Sequence, residues 1–160
     1  MQAVTHQINP HFMFNTLNTI RWLVKFGDEN KAYEGITNFN RLMEAYMGKT
    51  GMMVPIREEL DIIAKYTDIL QLRYDLIFTL RTEVDPEALE FMIPRMFFQL
   101  IVENAIFHGI VPSGQNGEIN ITITDSPENI VVQISNNGMG IGDEQLECYP
   151  GYSIDATFPR

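Results

Sequence analysis

Cysteine is almost absent: Cys148 is the only one in 160 residues. No disulfide can therefore close within the chain, and no multi-cysteine zinc site can form. A reducing cytoplasm is the natural setting. With no histidine near it in sequence, Cys148 reads as a small buried residue rather than a nucleophile. Long hydrophobic runs are missing too, since no stretch approaches the ~18 consecutive apolar residues that a membrane span needs. No charged-then-apolar leader opens the chain, so it shows no export signal. Basic residues are scarce, 11 against 21 acidic ones, and the net charge is −10. Binding along a nucleic acid needs basic stripes to neutralise phosphates, so no nucleic-acid partner is expected. A single nucleotide is not excluded, because a pocket can hold one with backbone N–H groups and a metal ion. No H-E-x-x-H spacing occurs, and His6 lies ~140° around a helix from His11, which rules out a metal pair there.

What is present divides by period. Met13, Leu17, Ile20 and Val24 mark an apolar stripe on one helix. Ala32, Ile36, Phe39, Met43 and Tyr46 mark a second. Ile56, Leu60, Ile63, Thr67, Leu70 and Tyr74 mark a third, begun by Pro55 and early acids. Gly27-Asp28 and Gly48-Lys49-Thr50-Gly51 punctuate the gaps. Short bundles of this kind often need a partner chain to bury their stripes. Beyond about Tyr74 the period shortens. Strands are expected over Ile77 to Glu83, through Ile119, Ile121 and Ile123, through Ile130, Val132 and Ile134, and from Tyr152 to Phe158. A helix is expected from about Pro94 to His108. The reading is an α+β fold: a helical region over residues 1–76, then an α/β sandwich over residues 77–160 with helices on one sheet face.

Gln7-Ile8-Asn9-Pro10-His11-Phe12-Met13-Phe14-Asn15-Thr16-Leu17-Asn18 is the most informative segment. On a helix Gln7, His11, Asn15 and Asn18 share one narrow stripe, which sets an imidazole among amides that can orient it. Pro10 removes a backbone N–H and should kink the helix, at a cost of ~3 kcal/mol. The wording closely resembles the phosphoacceptor box of the LytS-like (YehU-like) sensor histidine kinases, Q-I-N-P-H-F-L-F-N-T-L-N, with Met13 the only departure. The resemblance implies that His11 is the phosphorylated residue. It continues through Glu58-Glu59-Leu60 and Tyr66 to Gln71-Leu72-Arg73-Tyr74, where Arg73 and Tyr74 are taken as joining residues.

Glu103-Asn104-Ala105-Ile106-Phe107-His108-Gly109 sits on an otherwise apolar helix, where its polar groups need partners. It resembles the N box of GHKL-type ATPase domains, E-N-A-x-x-H-G. That likeness implies ATP and Mg2+ as cofactors, Asn104 on the metal, His108 near the phosphates, Gly109 closing the box, and Glu103 polarising the acceptor imidazole or a water. Asn136-Asn137-Gly138-Met139-Gly140 resembles the D-N-G-x-G box that follows a strand, its glycines giving a ligand close backbone approach. Asn136 replaces the aspartate that accepts the adenine amino group, which removes charge assistance from that bond.

Seven residues separate Gly140 from Cys148, so the family's ATP lid and glycine-rich second box are expected to be missing near Glu147/Cys148, as is the closing strand. The function implied is a two-component sensor kinase core. It would form a homodimer through the helical region and pass phosphate to a response-regulator aspartate. It would be the cytoplasmic part of a bacterial sensor whose membrane-anchored sensing region lies upstream. The alternative is a degenerate signalling or dimerisation module with a poor nucleotide pocket.

Overall fold

The computed structural model describes residues 10–47, 52–74, 76–139 and 150–160; at 11, 12, 45, 46, 139 and 150–153 it describes the backbone alone. The described chain begins with helix α1, Pro10–Lys25. Pro10 is the first described helical residue, and the turn before it, where the expected kink would fall, lies outside the described residues. Gly27, at φ 76°, turns the chain, and Asp28 Oδ1 accepts the Lys31 N–H at 3.1 Å to open α2, Glu29–Met47. Helix α3, Ile56–Arg73, completes the helical layer.

The stripe expected to be buried on α1 is only partly so. Thr16, Thr19, Ile20 and Leu23 face inward, while Leu17 and Val24 are exposed. Thr19 is accommodated because its hydroxyl donates to the Asn15 carbonyl at 2.9 Å, a local bond open to threonine within a helix. On α2, Ala32 and Leu42 are buried and Ile36 is exposed. The α3 stripe matches expectation, with Ile56, Ile63, Thr67 and Leu70 all buried.

Strands β2 (Phe78–Val84), β4 (Gly117–Asp125), β5 (Asn129–Met139) and β6 (Pro150–Pro159) form one mixed sheet in that order. The β2–β4 pair is parallel and the others antiparallel. Ile121 lies opposite Ile134, and Ile123 opposite Val132. Alternation therefore sends one row of branched side chains to a single face. A second, two-stranded ribbon joins β1 (Met53–Pro55) to β3 (Met92–Pro94). Neither strand was expected: each has three residues and ends in proline, too short for alternation to show.

Helix α4, Phe97–Asn104, starts three residues later than expected, after the strand and after Met96, which takes a left-handed conformation at φ 68°. Helices α3 and α4 cover the same sheet face. Ile63, Tyr66 and Leu70 of α3 share one buried cluster with Phe98 and Val102 of α4 and with the isoleucines of β4. The core therefore runs across the expected boundary between residues 76 and 77. The α+β class stands, with a mixed sheet and helices on one face.

Glu59 of α3 is wholly buried, and its Oε1 accepts the Met96 N–H at 2.9 Å, beside the start of α4. Burial pushes its carboxyl above the ordinary 4.5, against the opposing pull of the Met96 and Phe98 backbone and of Arg95. The folded protein thus keeps this proton at pH values where the unfolded chain has released it. Stability contributed by the group is present below the unfolded value and falls as pH rises through the folded one. Urea unfolding followed as pH rises from the ordinary carboxyl value of 4.5 should show that decline, flattened in Glu59→Gln; an unchanged slope in the variant contradicts it.

Candidate functional site

Helical geometry turns consecutive residues ~100° apart, and on α4 this separates Glu103 from Asn104. Asn104 is exposed. Glu103 points into the core with 7% of its surface accessible. Its Oε1 accepts the Tyr66 hydroxyl of α3 at 3.0 Å, and the Gln99 amide one turn back lies at 3.5 Å. The carboxylate expected to polarise the acceptor is thus turned toward α3. Two of these groups escaped the sequence reading: Tyr66 was noted only as part of a motif, and Gln99 not at all. Their signal was polarity on faces otherwise made of apolar residues.

Directly after Asn104 the helix widens into a π-helical segment, Ala105–Ile110, before a last α-turn, Val111–Ser113. Such widened turns are rare and cluster at functional sites. This one leaves His108 exposed and brings Gly109 inward. Gly109 then meets the end of β5. A Cβ built on Gly138 would lie 2.4 Å from the Gly109 carbonyl carbon and 2.8 Å from its Cα, so only glycine fits there. The two sequence boxes, about 30 residues apart, therefore touch backbone to backbone.

Asn136 was expected in a loop beyond the strand, but β5 continues through it and pairs it with Tyr152 of β6 on one side and Ile119 on the other. A register shift follows between Asn136 and Met139. Asn136 is 8% exposed, and its Oδ1 accepts the Gly138 N–H at 2.9 Å. The amide oxygen foreseen as an adenine acceptor is thus already engaged, holding Gly138 against Gly109; its second lone pair remains as an acceptor. Asn137 accepts the Glu118 N–H at 2.7 Å and ties the same turn to β4.

Gly138, Gly109, Asn104 and His108 thus lie along one connected stretch of backbone contact. The His11 backbone lies in the first described turn of α1, and its side chain lies outside the described residues, as do Gln7, Gly140, Cys148 and the expected lid position near Glu147. Asn15 and Asn18 fall on α1, the latter exposed. A cavity of about 690 Å3 opens elsewhere, where Trp22, Phe26, Arg73, Tyr74 and Asn116 meet at the foot of the helical layer.

Residues 1–78 match the family model described as histidine kinase. The sensor protein LytS of Staphylococcus epidermidis is 28% identical over 98% of this chain and 27% of its own length. LytS of Oceanobacillus iheyensis is 32% identical over 91% of this chain and 25% of its own length. The chain thus spans about a quarter of the length of the curated relatives it matches. Among solved structures, the histidine kinase domain from a blue-light activated kinase of Erythrobacter litoralis is 14% identical, with TM-score 0.45, over 81% of this chain and 75% of that one.

The Gly109–Gly138 contact yields a direct test. Gly138→Ala should cost about 1–3 kcal/mol by overpacking, because its neighbours at Gly109 are backbone atoms that cannot rotate away. Thermal unfolding should show a drop in Tm of several degrees; an unshifted Tm would mean that the two segments are not in contact.

Proposed function

Because this chain belongs to the sensor histidine kinases, we propose that it is the catalytic core of such a kinase, using MgATP to phosphorylate His11. The observation that carries the reading is the backbone contact of Gly109 with Gly138, which sets the Asn104–Gly109 segment against the Asn136–Gly138 turn. The surroundings fit a magnesium nucleotide. Mg2+ takes few protein ligands and keeps phosphates and waters, and Asn104 offers one exposed amide oxygen. Bound there, the metal would neutralise phosphate charge, which is most of what phosphoryl transfer requires.

The chain's own residues supply the rest. His108 is exposed close along the same helical segment, where it would approach the phosphates. Gly109, Gly138 and, outside the described residues, Gly140 are assigned to the turns that let a nucleotide approach the backbone closely. Asn136 would meet the adenine edge with the acceptor capacity left after its bond to Gly138. His11 receives the phosphoryl group and passes it to a response-regulator aspartate. Domain division follows the chemistry, with acceptor helices over 1–76 and the nucleotide half over 77–160.

A homodimer would form through the helical layer. Phe14, Leu17 and Val24 occupy one stripe of α1, each at least 45% exposed, with Tyr33 and Ile36 exposed on α2. An exposed apolar stripe of this kind on α1 is the surface a partner helix would cover. No described helix is long and apolar enough to cross a membrane. The inert-module alternative draws on Asn136, whose neutral amide gives the adenine a weaker partner than a carboxylate.

Incubation with radiolabelled MgATP should give an acid-labile, alkali-stable label that disappears in His11→Ala; acid-stable label, or label retained by the variant, contradicts the assignment. Asn136→Asp adds charge to the adenine contact and should tighten MgATP binding by roughly threefold to tenfold. Calorimetry showing equal or weaker binding would remove Asn136 from the adenine site.

A further inference from the structure

Two hydrogen bonds tie α3 to α4, and they are matched in spacing. Glu59 accepts the Met96 N–H at the head of α4, and Tyr66 donates to Glu103 farther along. The bonded residues are seven apart in both segments: Glu59 to Tyr66 along α3, a rise of about 10.5 Å, and Met96 to Glu103 from the residue just before α4 to near its end. Seven residues also make nearly two full turns, which places Glu59 and Tyr66 on one face of α3. The helices therefore run side by side in the same direction, pinned at two points on facing stripes. A slip of one residue along either helix would break both bonds.

The polar side chains of the lock are buried: Glu59 and Tyr66 are fully enclosed, Gln99 likewise, and Glu103 nearly so. An enclosed carboxylate that loses its donor is costly, so the register is strongly preferred over its neighbours. The residue after Glu103 is Asn104, exposed about a quarter-turn further around the helix, and the π-helical segment begins immediately afterwards. Rotation of Glu103 about the α4 axis would swing Asn104 by the same angle. Nothing softer than one peptide unit lies between them.

We infer that Tyr66 and Glu103 form a positioning pair: the α3–α4 register lock, anchored at its other end by Glu59, sets the aim of Asn104 toward a metal-bound nucleotide. This rests on the nucleotide reading above and deepens it. Glu103 then acts through Asn104 rather than on the acceptor imidazole. The lock also makes α3, which packs on α1 and α2, the element through which the helical layer fixes the pitch of the nucleotide segment.

The test is calorimetric titration of the full chain with MgATP and, in parallel, with metal-free ATP in chelator, together with thermal unfolding. Tyr66→Phe keeps the ring and removes only the hydroxyl. It should weaken MgATP binding by about tenfold, the equivalent of one hydrogen bond to a charged group. Metal-free ATP binding should stay within about twofold, because it does not engage Asn104. Glu103→Gln should lose less than Tyr66→Phe, since the amide oxygen still accepts the hydroxyl, and the double variant should be no weaker than Tyr66→Phe alone.

MgATP affinity unchanged in Tyr66→Phe would overturn the lock. So would an equal loss for both forms of the nucleotide with a lowered Tm, which is the signature of general loosening. If the unsubstituted chain binds neither form, the nucleotide reading itself falls and takes the positioning role with it.

Discussion

A carboxylate enclosed in protein is expensive unless donors reach it, and this fold encloses two within the same helix pair. Glu59 and Glu103 face each other's helices across an otherwise apolar interface. Each is answered from the opposite helix, one by a backbone N–H and the other by a tyrosine hydroxyl. Hydrophobic burial is non-directional and would tolerate many ways of laying α3 on α4. The two polar contacts reduce those ways to one. Glu59 retains an oxygen with no partner among the described residues, which agrees with the upward displacement of its carboxyl.

With α4 fixed in this way, its far end is delivered to the sheet. The π-helical widening brings Gly109 against Gly138, and Asn136 folds the strand end back through its bond to the Gly138 N–H. The sheet below is held by ordinary alternation, with Ile119, Ile121 and Ile123 opposing residues of β5. Gln71 adds a third tie from α3, donating to the Phe78 carbonyl at the start of β2. Helical layer, the Asn104–Gly109 segment and sheet thus form one continuous core, even though the two halves carry different proposed tasks.

Much of this was legible in the residues. Long periodic stretches announced α1, α2, α3 and the four main strands, because burying one face forces the period onto the sequence. The α1 stripe was misread in part: Leu17 and Val24 continue an apolar period but face outward, while Thr16 and Thr19 are enclosed. Periodicity reports that a face is apolar, not which surface covers it. The three-residue strands β1 and β3 were invisible, since pairing across about 40 residues leaves no local trace. At the site, the boxes named Asn104, His108, Gly109, Asn136 and Gly138, and the chain brings their segments together. The inward turn of Glu103 and the engagement of the Asn136 oxygen depended on a distant tyrosine and on a strand running longer than its alternation suggested. No spacing encodes either.

If the nucleotide proposed to lie beside Asn104 and Gly138 hands its phosphoryl group to one histidine on α1, that transfer leaves its mark on a single peptide. Peptide mapping by mass spectrometry at neutral to alkaline pH, after brief incubation of the full chain with MgATP, tests it most directly. The account predicts a single phosphoryl group on the peptide bearing His11, absent when Asn104 is replaced by alanine. Phosphate on His6, on His108 or on any hydroxyl residue instead of His11 would contradict it.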